Sequence, residues 1–419
     1  MIASTLGMLF SIPGQTMGFS VFTEILMEDL GLSRVALSAA YFVGTVCSGL
    51  TLPLMGRLYD RWGGRKMAVL ATIATAFVLF YLASVGRIQD AVTTGAGSAV
   101  VVSVGFVLIG LGFYLIRLSA QGVLTMSCRN VVGKWFDRKR GLALSLSGII
   151  VSFAFSAAPR CLDILIERFS YEGAWIFLGL LTVGFMMPLA WLVFRDSPEE
   201  CDMVMDGEIT DEVAEMNPDM IIHHQYTRHE ALRTFSFWAY SLSFSFYAFF
   251  STAFTFHIIS IGNEFGFAKY DIIALFIPMA AVSVSVSLFC GWINSKTRLK
   301  WILFAMNLGG VAGALGLLNL DTPAGKLAYV VGNGLCGGAF LCLLGLVWPR
   351  FYGRQWLGSI NGVNMSLIVV ASGIGPLLFG LAKQFSGSYF PALVFSVVLP
   401  AILAIASFGA DNPQRKEKV

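Results

Sequence analysis

The 419-residue sequence is poor in charged residues. Only 13% of the residues are Asp, Glu, Lys or Arg, whereas 56% are hydrophobic, and the mean hydropathy is +0.75. Soluble domains average about 25% charged residues, so this composition excludes an ordinary water-soluble protein. A net charge of +3 is too small to indicate a nucleic-acid partner. Nucleotide-binding loops and nucleophile motifs are also missing, which argues against an enzyme and against an ATP-driven pump.

Metal-binding spacings are missing as well. The seven cysteines are scattered through apolar runs without a CxxC pair, and we interpret them as small hydrophobic residues. His223, His224 and His229 lie close together, but no cysteine or carboxylate spacing around them is typical of a ligand set. We therefore expect a solvated loop at these histidines, and no metal or cofactor in the protein.

Long apolar runs dominate the sequence. A helix needs about 20 apolar residues to cross a bilayer, and the runs of that length predict an all-α membrane protein with twelve transmembrane helices. The predicted spans are 2–23, 35–56, 67–86, 91–116, 141–159, 173–194, 234–263, 272–295, 301–320, 327–349, 356–382 and 384–410. We expect the fourth span to continue past Arg117 to about Cys128, and the fifth to continue past Arg160.

Positive charge is unevenly distributed among the loops. If the N-terminus is inside, the inner loops and the tail carry 17 Lys and Arg residues, and the outer loops carry only 6. Because cytoplasmic loops are enriched in Lys and Arg, we predict that both termini are cytoplasmic. The predicted location is the cell inner membrane, where the chain contacts the lipid bilayer as a multi-pass protein, and we expect a monomer.

A polar, acidic stretch separates the first six spans from the last six. It predicts an N-terminal six-helix bundle at 1–194, a cytoplasmic acidic connector at 195–233 and a C-terminal six-helix bundle at 234–419.

A local pattern also repeats between the halves. Gly141 and Pro159 of the fifth span recur as Gly358 and Pro376 of the eleventh, each 217 residues later. Two similar halves with a substrate site at the midplane between them are typical of secondary transporters, whereas enzymes and channels seldom need such symmetry.

The most specific motif lies between spans 2 and 3. It reads Gly56-Arg57-Leu58-Tyr59-Asp60-Arg61-Trp62-Gly63-Gly64-Arg65-Lys66 and matches G-x-x-x-D-R-x-G-x-R-K position for position. In this motif the chain resembles the major facilitator superfamily. The resemblance implies two pseudo-symmetric six-helix bundles, the major facilitator fold, and secondary transport by alternating access.

The same motif predicts a latch on the cytoplasmic side. Its members are Gly56, Asp60, Arg61, Gly63, Arg65 and Lys66. The aspartate can pair with arginines or cap a neighbouring helix, and the glycines permit tight packing and a sharp turn. The alternative is that the basic residues only set the membrane topology.

Shorter stretches are similar to the oxalate/formate-antiporter and monocarboxylate-porter branch. They include 13–22, 134–143 and Thr255-Phe256-His257. This similarity implies a monocarboxylate or dicarboxylate substrate, moved by symport with a proton or by antiport against a counter-anion. The segment 272–279 in span 8 and most of span 11 lack the cation that the branch often has there. A neutral or zwitterionic solute therefore stays open, as does a transport-dead sensor that signals through its connector.

Ionisable residues inside spans are costly and are therefore functional candidates. Arg117 lies well inside span 4, and Gln121, four residues on, shares its helix face. The pair resembles the R-x-x-Q-G element of the family with one residue inserted. The guanidinium can hold a substrate carboxylate bidentately, or it can brace backbone carbonyls of span 1. Arg160 in span 5 is a second candidate, unless it only pairs with Asp163 one helical turn away.

Five further polar residues complete the predicted substrate site. Gln15 and Thr16 follow a Pro-Gly break in span 1, and Asn361 and Asn364 are three residues apart in span 11. Each pair can bind substrate or tie helices together. His257 near the end of span 7 can bind substrate, gate the outer mouth or sense protons, or it can serve packing alone. An exchanger and a symporter that uses His257 both remain open.

Overall fold

The computed structural model describes residues 1–136, 139–205 and 220–418. These residues form helices and connecting turns, with no β-strand among them. The chain divides into two compact units. The first comprises Met1–Val131, Ile150–Cys201 and Asn361–Ser366, and the second comprises Val132–Ile149, Asp202–Ile360 and Leu367–Val419.

Eighteen α-helices make up most of the described chain. Up to residue 201 they are α1 Ile2–Phe10, α2 Thr16–Phe19, α3 Thr23–Leu30, α4 Arg34–Trp62, α5 Gly64–Ala83, α6 Val85–Thr93, α7 Ser98–Ile116, α8 Thr125–Trp135, α9 Arg140–Leu181 and α10 Met187–Val193. From residue 220 they are α11 Arg228–Leu232, α12 Phe235–Glu264, α13 Lys269–Ala274, α14 Phe276–Ile293, α15 Leu299–Leu318, α16 Pro323–Tyr352, α17 Leu357–Ser386 and α18 Phe390–Ser407. Two π-helical segments, Arg117–Leu124 and Thr182–Met186, join α7 to α8 and α9 to α10.

Nine helices in the described ranges are long and apolar enough to cross a bilayer. They are Val35–Trp62, Gly64–Ala83, Ser98–Trp135, Ala157–Val193, Phe276–Ile293, Leu299–Leu318, Pro323–Tyr352, Leu357–Ser386 and Phe390–Ser407. They account for nine of the predicted spans, and the fourth is helical to Trp135, beyond the expected end at Cys128. The predicted fold class, an all-α membrane protein, is confirmed.

The three remaining predicted spans are also helical. The fifth begins α9, and the seventh is α12, whose 30 residues extend about 45 Å at about 1.5 Å per residue. The first is broken, because Pro13 opens a 3₁₀ turn at Ile12–Gly14 between α1 and α2 and cannot donate a helical hydrogen bond. In α9, Ser170 has φ 65° and ψ 172°, which interrupts the helical geometry where the sequence predicts the loop between spans 5 and 6.

Each unit has its own aromatic core. In the first unit Phe22 stacks on Trp175 with ring centroids 4.6 Å apart. In the second unit the Phe254 and Tyr329 ring centroids lie 4.8 Å apart. Lipid is as apolar as these side chains, so close backbone packing contributes more to helix association than burial from water does. A Cβ atom on Gly316 would overlap the backbone nitrogen of Tyr329, which shows how closely α15 and α16 approach.

The predicted connector is only partly described. Residues 206–219, with most of its acidic side chains, lie outside the described residues, so the division into 1–194, 195–233 and 234–419 stays a prediction. The segment from residue 220 belongs to the second unit and contacts other parts of it. Gln225 Oε1 accepts hydrogen bonds from the backbone nitrogens of Arg354 (2.8 Å) and Gln355 (3.1 Å). The buried Gln414 side chain accepts from the backbone nitrogens of His223 and His224, both at 2.9 Å.

A short capped helix ends this segment. At the start of α11, Thr227 and Glu230 form a capping box, in which the Glu230 carboxylate accepts from the Thr227 backbone nitrogen at 2.7 Å. The side chains of His223 and His229 are exposed, in agreement with the expected solvation, but His224 is half-buried and His229 lies within α11 and not in a loop. The backbone at His223 and His224, in contrast, is held by the tail. Among the described residues no group of three His, Cys, Asp or Glu side chains is arranged to hold a metal.

Candidate functional site

Arg117 opens a π-helical turn in the first unit. The π segment Arg117–Leu124 interrupts the helix between α7 and α8. A π turn accommodates one extra residue in a helix, and such turns are frequent at functional sites. The turn therefore agrees with the one-residue insertion that separates Arg117 and Gln121 from the family element.

The guanidinium of Arg117 is buried and only partly satisfied. The side chain is 3% exposed. Its Nη1 donates to the Gly14 carbonyl and to Thr16 Oγ1, both at 3.3 Å, and its Cζ lies 5.2 Å from the ring centroid of Tyr41. Nε has no hydrogen-bond partner in the described part of the chain. The bond to Gly14 corresponds to the bracing interpretation, and the unpartnered Nε leaves one edge of the guanidinium for a ligand.

The break in span 1 creates this arrangement. Gly14 sits so close to span 4 that a Cβ atom there would lie 2.7 Å from both Ala120 Cβ and the Ile116 carbonyl oxygen. Because Pro13 interrupts the helix, the Gly14 carbonyl is available to Arg117.

The other polar residues near the break differ in whether they contact Arg117. Thr16 bonds to the Tyr41 hydroxyl at 2.8 Å and therefore links Arg117 to α4. Gln15 is directed elsewhere, because its Nε2 donates to Ser11 Oγ at 3.1 Å. Gln121 Oε1 is buried and has no partner among the described residues. The structure thus brings Thr16 and Arg117 into direct contact.

The two predicted asparagines are joined in a short chain within the first unit. Asn361 Nδ2 donates to Asn130 Oδ1 at 2.7 Å, and Asn364 Nδ2 donates to Asn361 Oδ1 at 3.2 Å. This geometry corresponds to the helix-tie interpretation. The two ends stay open, since Asn130 Nδ2 and Asn364 Oδ1 have no partner in the described ranges. Sequence analysis missed Asn130, whose signal is an amide near the end of a long apolar helix.

His257 belongs to the second unit and links three helices. Its Nε2 lies 2.9 Å from the Pro376 carbonyl oxygen in α17, and its Nδ1 lies 3.2 Å from the hydroxyl of Tyr389 next to α18. Arg160, in contrast, is exposed, and no hydrogen bond or ion pair joins it to a described residue, Asp163 included.

The predicted latch is anchored by an aspartate that sequence analysis did not single out. Asp196, which follows α10, accepts a 2.6 Å hydrogen bond from the Arg65 backbone nitrogen at the start of α5. A carboxylate at a helix N-terminus is favourable because it pairs with free N–H groups and the helix dipole. Arg65 Nε donates to the Trp191 carbonyl at 2.8 Å, and its Cζ lies 4.4 Å from the Trp191 ring centroid. Gly63 has φ 85° and faces Asp196 so closely that a Cβ atom would overlap the carboxylate.

The remaining latch residues differ in exposure. Gly56 is buried, and a Cβ atom on Gly362 would lie 3.1 Å from its Cα, so the glycine permits close packing. Asp60 is half-buried, whereas Arg61 and Lys66 are exposed.

The second unit repeats the aspartate anchor. Asp411 follows α18 and pairs with Lys300 at 2.6 Å and with Arg298 at 3.7 Å beside the start of α15. Asp196 and Asp411 each begin an Asp-x-Pro sequence, and they are 215 residues apart. This second repeat, close to the 217-residue offset, is the sequence signal that could have identified both anchors.

Comparison with known proteins agrees with this architecture. The Major Facilitator Superfamily profile matches residues 5–376. The chain therefore belongs to the Major Facilitator Superfamily and is a membrane-spanning transporter, not an enzyme. It is similar to solved transporter structures: the proton:xylose symporter XylE at TM-score 0.64 and 16% identity, covering 99% of this chain and 97% of that one. The Escherichia coli fucose:proton symporter FucP aligns at TM-score 0.66 and 12% identity, covering 98% of each chain.

Relatives found by sequence share about a quarter of their aligned residues with this chain. Monocarboxylate transporter 12 of Mus musculus is 26% identical over 326 residues, which cover 71% of this chain and 64% of the mouse protein. The chain thus spans less than two thirds of that relative's length. An uncharacterized 38 kDa protein of Thermoproteus tenax is 24% identical over 401 residues, covering 94% of this chain and 92% of that protein.

Proposed function

We propose that the protein is a secondary active transporter of a small organic carboxylate, a monocarboxylate or dicarboxylate, across the cell inner membrane. The observation that carries the proposal is the buried guanidinium of Arg117, whose Nε has no partner in the described residues. Membership of the superfamily supports secondary transport, and the similarity to monocarboxylate transporter 12 supports the carboxylate class.

The chemistry of Arg117 favours an anion. Nη1 is occupied by Gly14 and Thr16, so the Nε–Nη2 edge is the one that can bind both oxygens of a carboxylate. A buried cation without a counter-charge is costly, and an incoming carboxylate removes that cost. The unpartnered Gln121 Oε1, on the same helix face, can bind a second polar group of the substrate.

The distribution of buried charge favours an anionic substrate over a zwitterionic one. No Asp or Glu is buried among the described residues, so an ammonium group would find no carboxylate partner there. The other buried arginines, Arg140 and Arg350, lie at the ends of predicted spans. The half-buried Arg129, whose Nε likewise has no partner among the described residues, lies just beyond the predicted end of span 4. Arg160 is exposed and stays a secondary candidate.

Alternating access would use the predicted latch and the asparagine chain. The Arg65–Asp196 contact and the Asn130–Asn361 bond join segments far apart in sequence. In this proposal they break and re-form as the cavity changes sides. The excess of Lys and Arg in the predicted inner loops supports cytoplasmic termini.

Counterflow in proteoliposomes tests the substrate class. Purified protein is reconstituted with labelled pyruvate, lactate, oxalate or succinate as carboxylate probes, with alanine as a zwitterion and glycerol as a neutral solute. We expect exchange of at least one carboxylate and of neither comparison solute. Exchange of alanine or glycerol alone would support the neutral or zwitterionic alternative, and no exchange of any solute would support the transport-dead sensor.

Arginine substitution then tests the site. Arg117→Gln removes two charge-assisted hydrogen bonds to the carboxylate, each contributing about 1.5 kcal/mol or more. Half-saturation should therefore rise roughly a hundredfold, since about 1.4 kcal/mol corresponds to a tenfold change. Arg168→Gln is the matched control, because Arg168 is exposed in the predicted loop between spans 5 and 6. Unchanged transport in Arg117→Gln would show that the site lies elsewhere.

A further inference from the structure

His257 lies in a hydrogen-bond network that can accept a proton. The ring bridges α12 to the Pro376 carbonyl oxygen at 2.9 Å and to the Tyr389 hydroxyl at 3.2 Å. Tyr389 in turn lies 2.9 Å from Ser260 Oγ, one turn along the helix that carries His257. All four residues belong to the second unit.

The carbonyl partner determines which ring nitrogen carries hydrogen. A carbonyl oxygen can only accept, so Nε2 must be protonated to bond Pro376. In the neutral ring Nδ1 is therefore unprotonated. Because the single Tyr389 hydroxyl hydrogen donates to Ser260 Oγ at 2.9 Å, Nδ1 accepts that hydrogen only if the bond to Ser260 is given up. This assigns the neutral tautomer from the geometry of the bonds.

Protonation then costs no hydrogen bond. A proton added at Nδ1 makes that nitrogen a donor to the Tyr389 oxygen, while the Tyr389 hydroxyl donates to Ser260 Oγ as it does in the structure. The ring gains one proton and one positive charge, no covalent bond between heavy atoms changes, and every heavy atom can keep its place. Both ring nitrogens of the imidazolium then donate to oxygen.

The surrounding groups are compatible with a positive ring. Phe379 on α17 stacks on the imidazole with ring centroids 6.4 Å apart, and Phe256 on α12 lies in an edge arrangement at 5.4 Å, so neither neighbour brings a positive charge to the ring. The nearest cation in the network is Lys383, whose Nζ lies 5.4 Å from the Tyr389 ring centroid. Lys383 is itself paired with Glu264 at 3.1 Å, which offsets its charge.

Other groups are poorly suited to the same task. The Asp and Glu side chains of the described residues are at most half-buried, as His257 is, and an ordinary carboxylate is already ionised at neutral pH. An arginine stays charged at all relevant pH values. The chain has four histidines, and the other three lie in the predicted connector. We propose that His257, with Tyr389 and Ser260, is the proton-binding site that couples transport to a proton gradient. This inference rests on the proposed function and specifies its coupling ion.

The test separates exchange from proton-driven uptake. Proteoliposomes are assayed with whichever labelled carboxylate probe, pyruvate or lactate for example, the wild type exchanges. Counterflow is measured without a pH gradient, and accumulation is measured with the acid side outside. His257→Gln keeps an N–H donor for the Pro376 carbonyl but cannot be protonated. We expect its counterflow to stay within about twofold of the wild type and its proton-driven accumulation, which can reach roughly tenfold per pH unit with one proton, to fall to equilibration.

Two results would overturn the coupling site. One is proton-driven accumulation preserved in His257→Gln, and the other is loss of counterflow and accumulation together, which indicates a structural role.

A substrate-free measurement keeps the proposal testable by itself. Ring-¹⁵N-histidine protein in nanodiscs is titrated by NMR, and the signal missing in His257→Gln is assigned to His257. We expect that signal to change reversibly from neutral to imidazolium as the pH is lowered toward about 5. A ring that stays neutral throughout refutes the coupling site even where counterflow succeeds. Failure of every solute to exchange, in contrast, refutes the proposed function. The titration alone then tests whether His257 binds a proton.

Discussion

Gly14→Ala is the sharpest test of how span 1 positions Arg117. The added Cβ would lie 2.7 Å from Ala120 Cβ and 2.7 Å from the Ile116 carbonyl oxygen. Ordinary carbon contacts begin near 3.5 Å, about 0.8 Å farther. One neighbour is a backbone oxygen and the other is a Cβ fixed to its helix, so neither can rotate away. Span 1 must therefore move from span 4 by several tenths of an ångström.

The expected cost follows from this overlap. Overpacking of this kind lowers the free energy of unfolding by about 1–3 kcal/mol. The same movement lengthens the 3.3 Å bond from Arg117 Nη1 to the Gly14 carbonyl, and so we also expect weaker binding of the carboxylate probe. Thermal unfolding in detergent and counterflow in liposomes measure the two effects.

Gly184→Ala is the matched control. A Cβ atom on Gly184 meets no atom within 4 Å, and the residue also lies in a π-helical segment of the first unit. Its midpoint of unfolding should not fall below that of the wild type, because a Gly-to-Ala change without a clash stabilises slightly by restricting the unfolded chain. If Gly14→Ala unfolds at the same temperature as Gly184→Ala and exchanges the probe equally well, the close approach of span 1 to span 4 is not what positions Arg117.

Three further predictions concern contacts away from Arg117. Asn361→Ala breaks the 2.7 Å bond to Asn130 and leaves a buried amide unpaired, so the free energy of unfolding should fall by about 1–3 kcal/mol in thermal or denaturant unfolding. Asp196→Ala removes the acceptor for the Arg65 backbone nitrogen and should cost about 0.5–2 kcal/mol, as for other lost helix caps, while slowing counterflow. The N-cap hydrogen bonds hold the pKa of Glu230 below its ordinary value of 4.5. Its contribution to the connector helix is therefore present at neutral pH and lost as pH falls through the lowered pKa, which hydrogen exchange of α11 measures.

Matched variants control these three predictions. Asn319→Ala changes an exposed asparagine whose Nδ2 bonds only to the carbonyl of its own helix, and Asp90→Ala removes an exposed carboxylate. Equal losses of stability in control and test would contradict the proposed ties. For the connector, Glu230→Gln should abolish the pH dependence of exchange in α11. A dependence that survives this substitution would assign it to another group.

Hydropathy and motif spacing were sufficient to predict much of the fold. Nine predicted spans coincide with helices long and apolar enough to cross a bilayer, and the other three are helical as well. This works because every backbone polar group must be satisfied within the segment that crosses lipid, so span length and composition are local properties. The Pro-Gly break in span 1 was also local, since Pro13 removes a helical donor wherever it stands.

Partners of the polar residues could not be predicted in the same way. The local sequence predicted that Arg117 is a buried cation, but not its hydrogen bond to Gly14, which lies 103 residues away in the chain. It selected Asp60 as the candidate cap of the latch, whereas Asp196, 131 residues from Arg65, caps α5. It selected Asn361 and Asn364 without Asn130, and His257 without Pro376 and Tyr389.

The sequence by itself thus determined which segments are helical, which family they belong to and which side chains are too costly to be buried without a purpose. Tertiary structure decided which atoms those side chains meet. The physical reason is that a hydrogen bond between helices forms only when its donor–acceptor distance is correct to within a few tenths of an ångström. Those distances follow from glycine contacts, proline breaks and π turns acting together, as they do around Arg117.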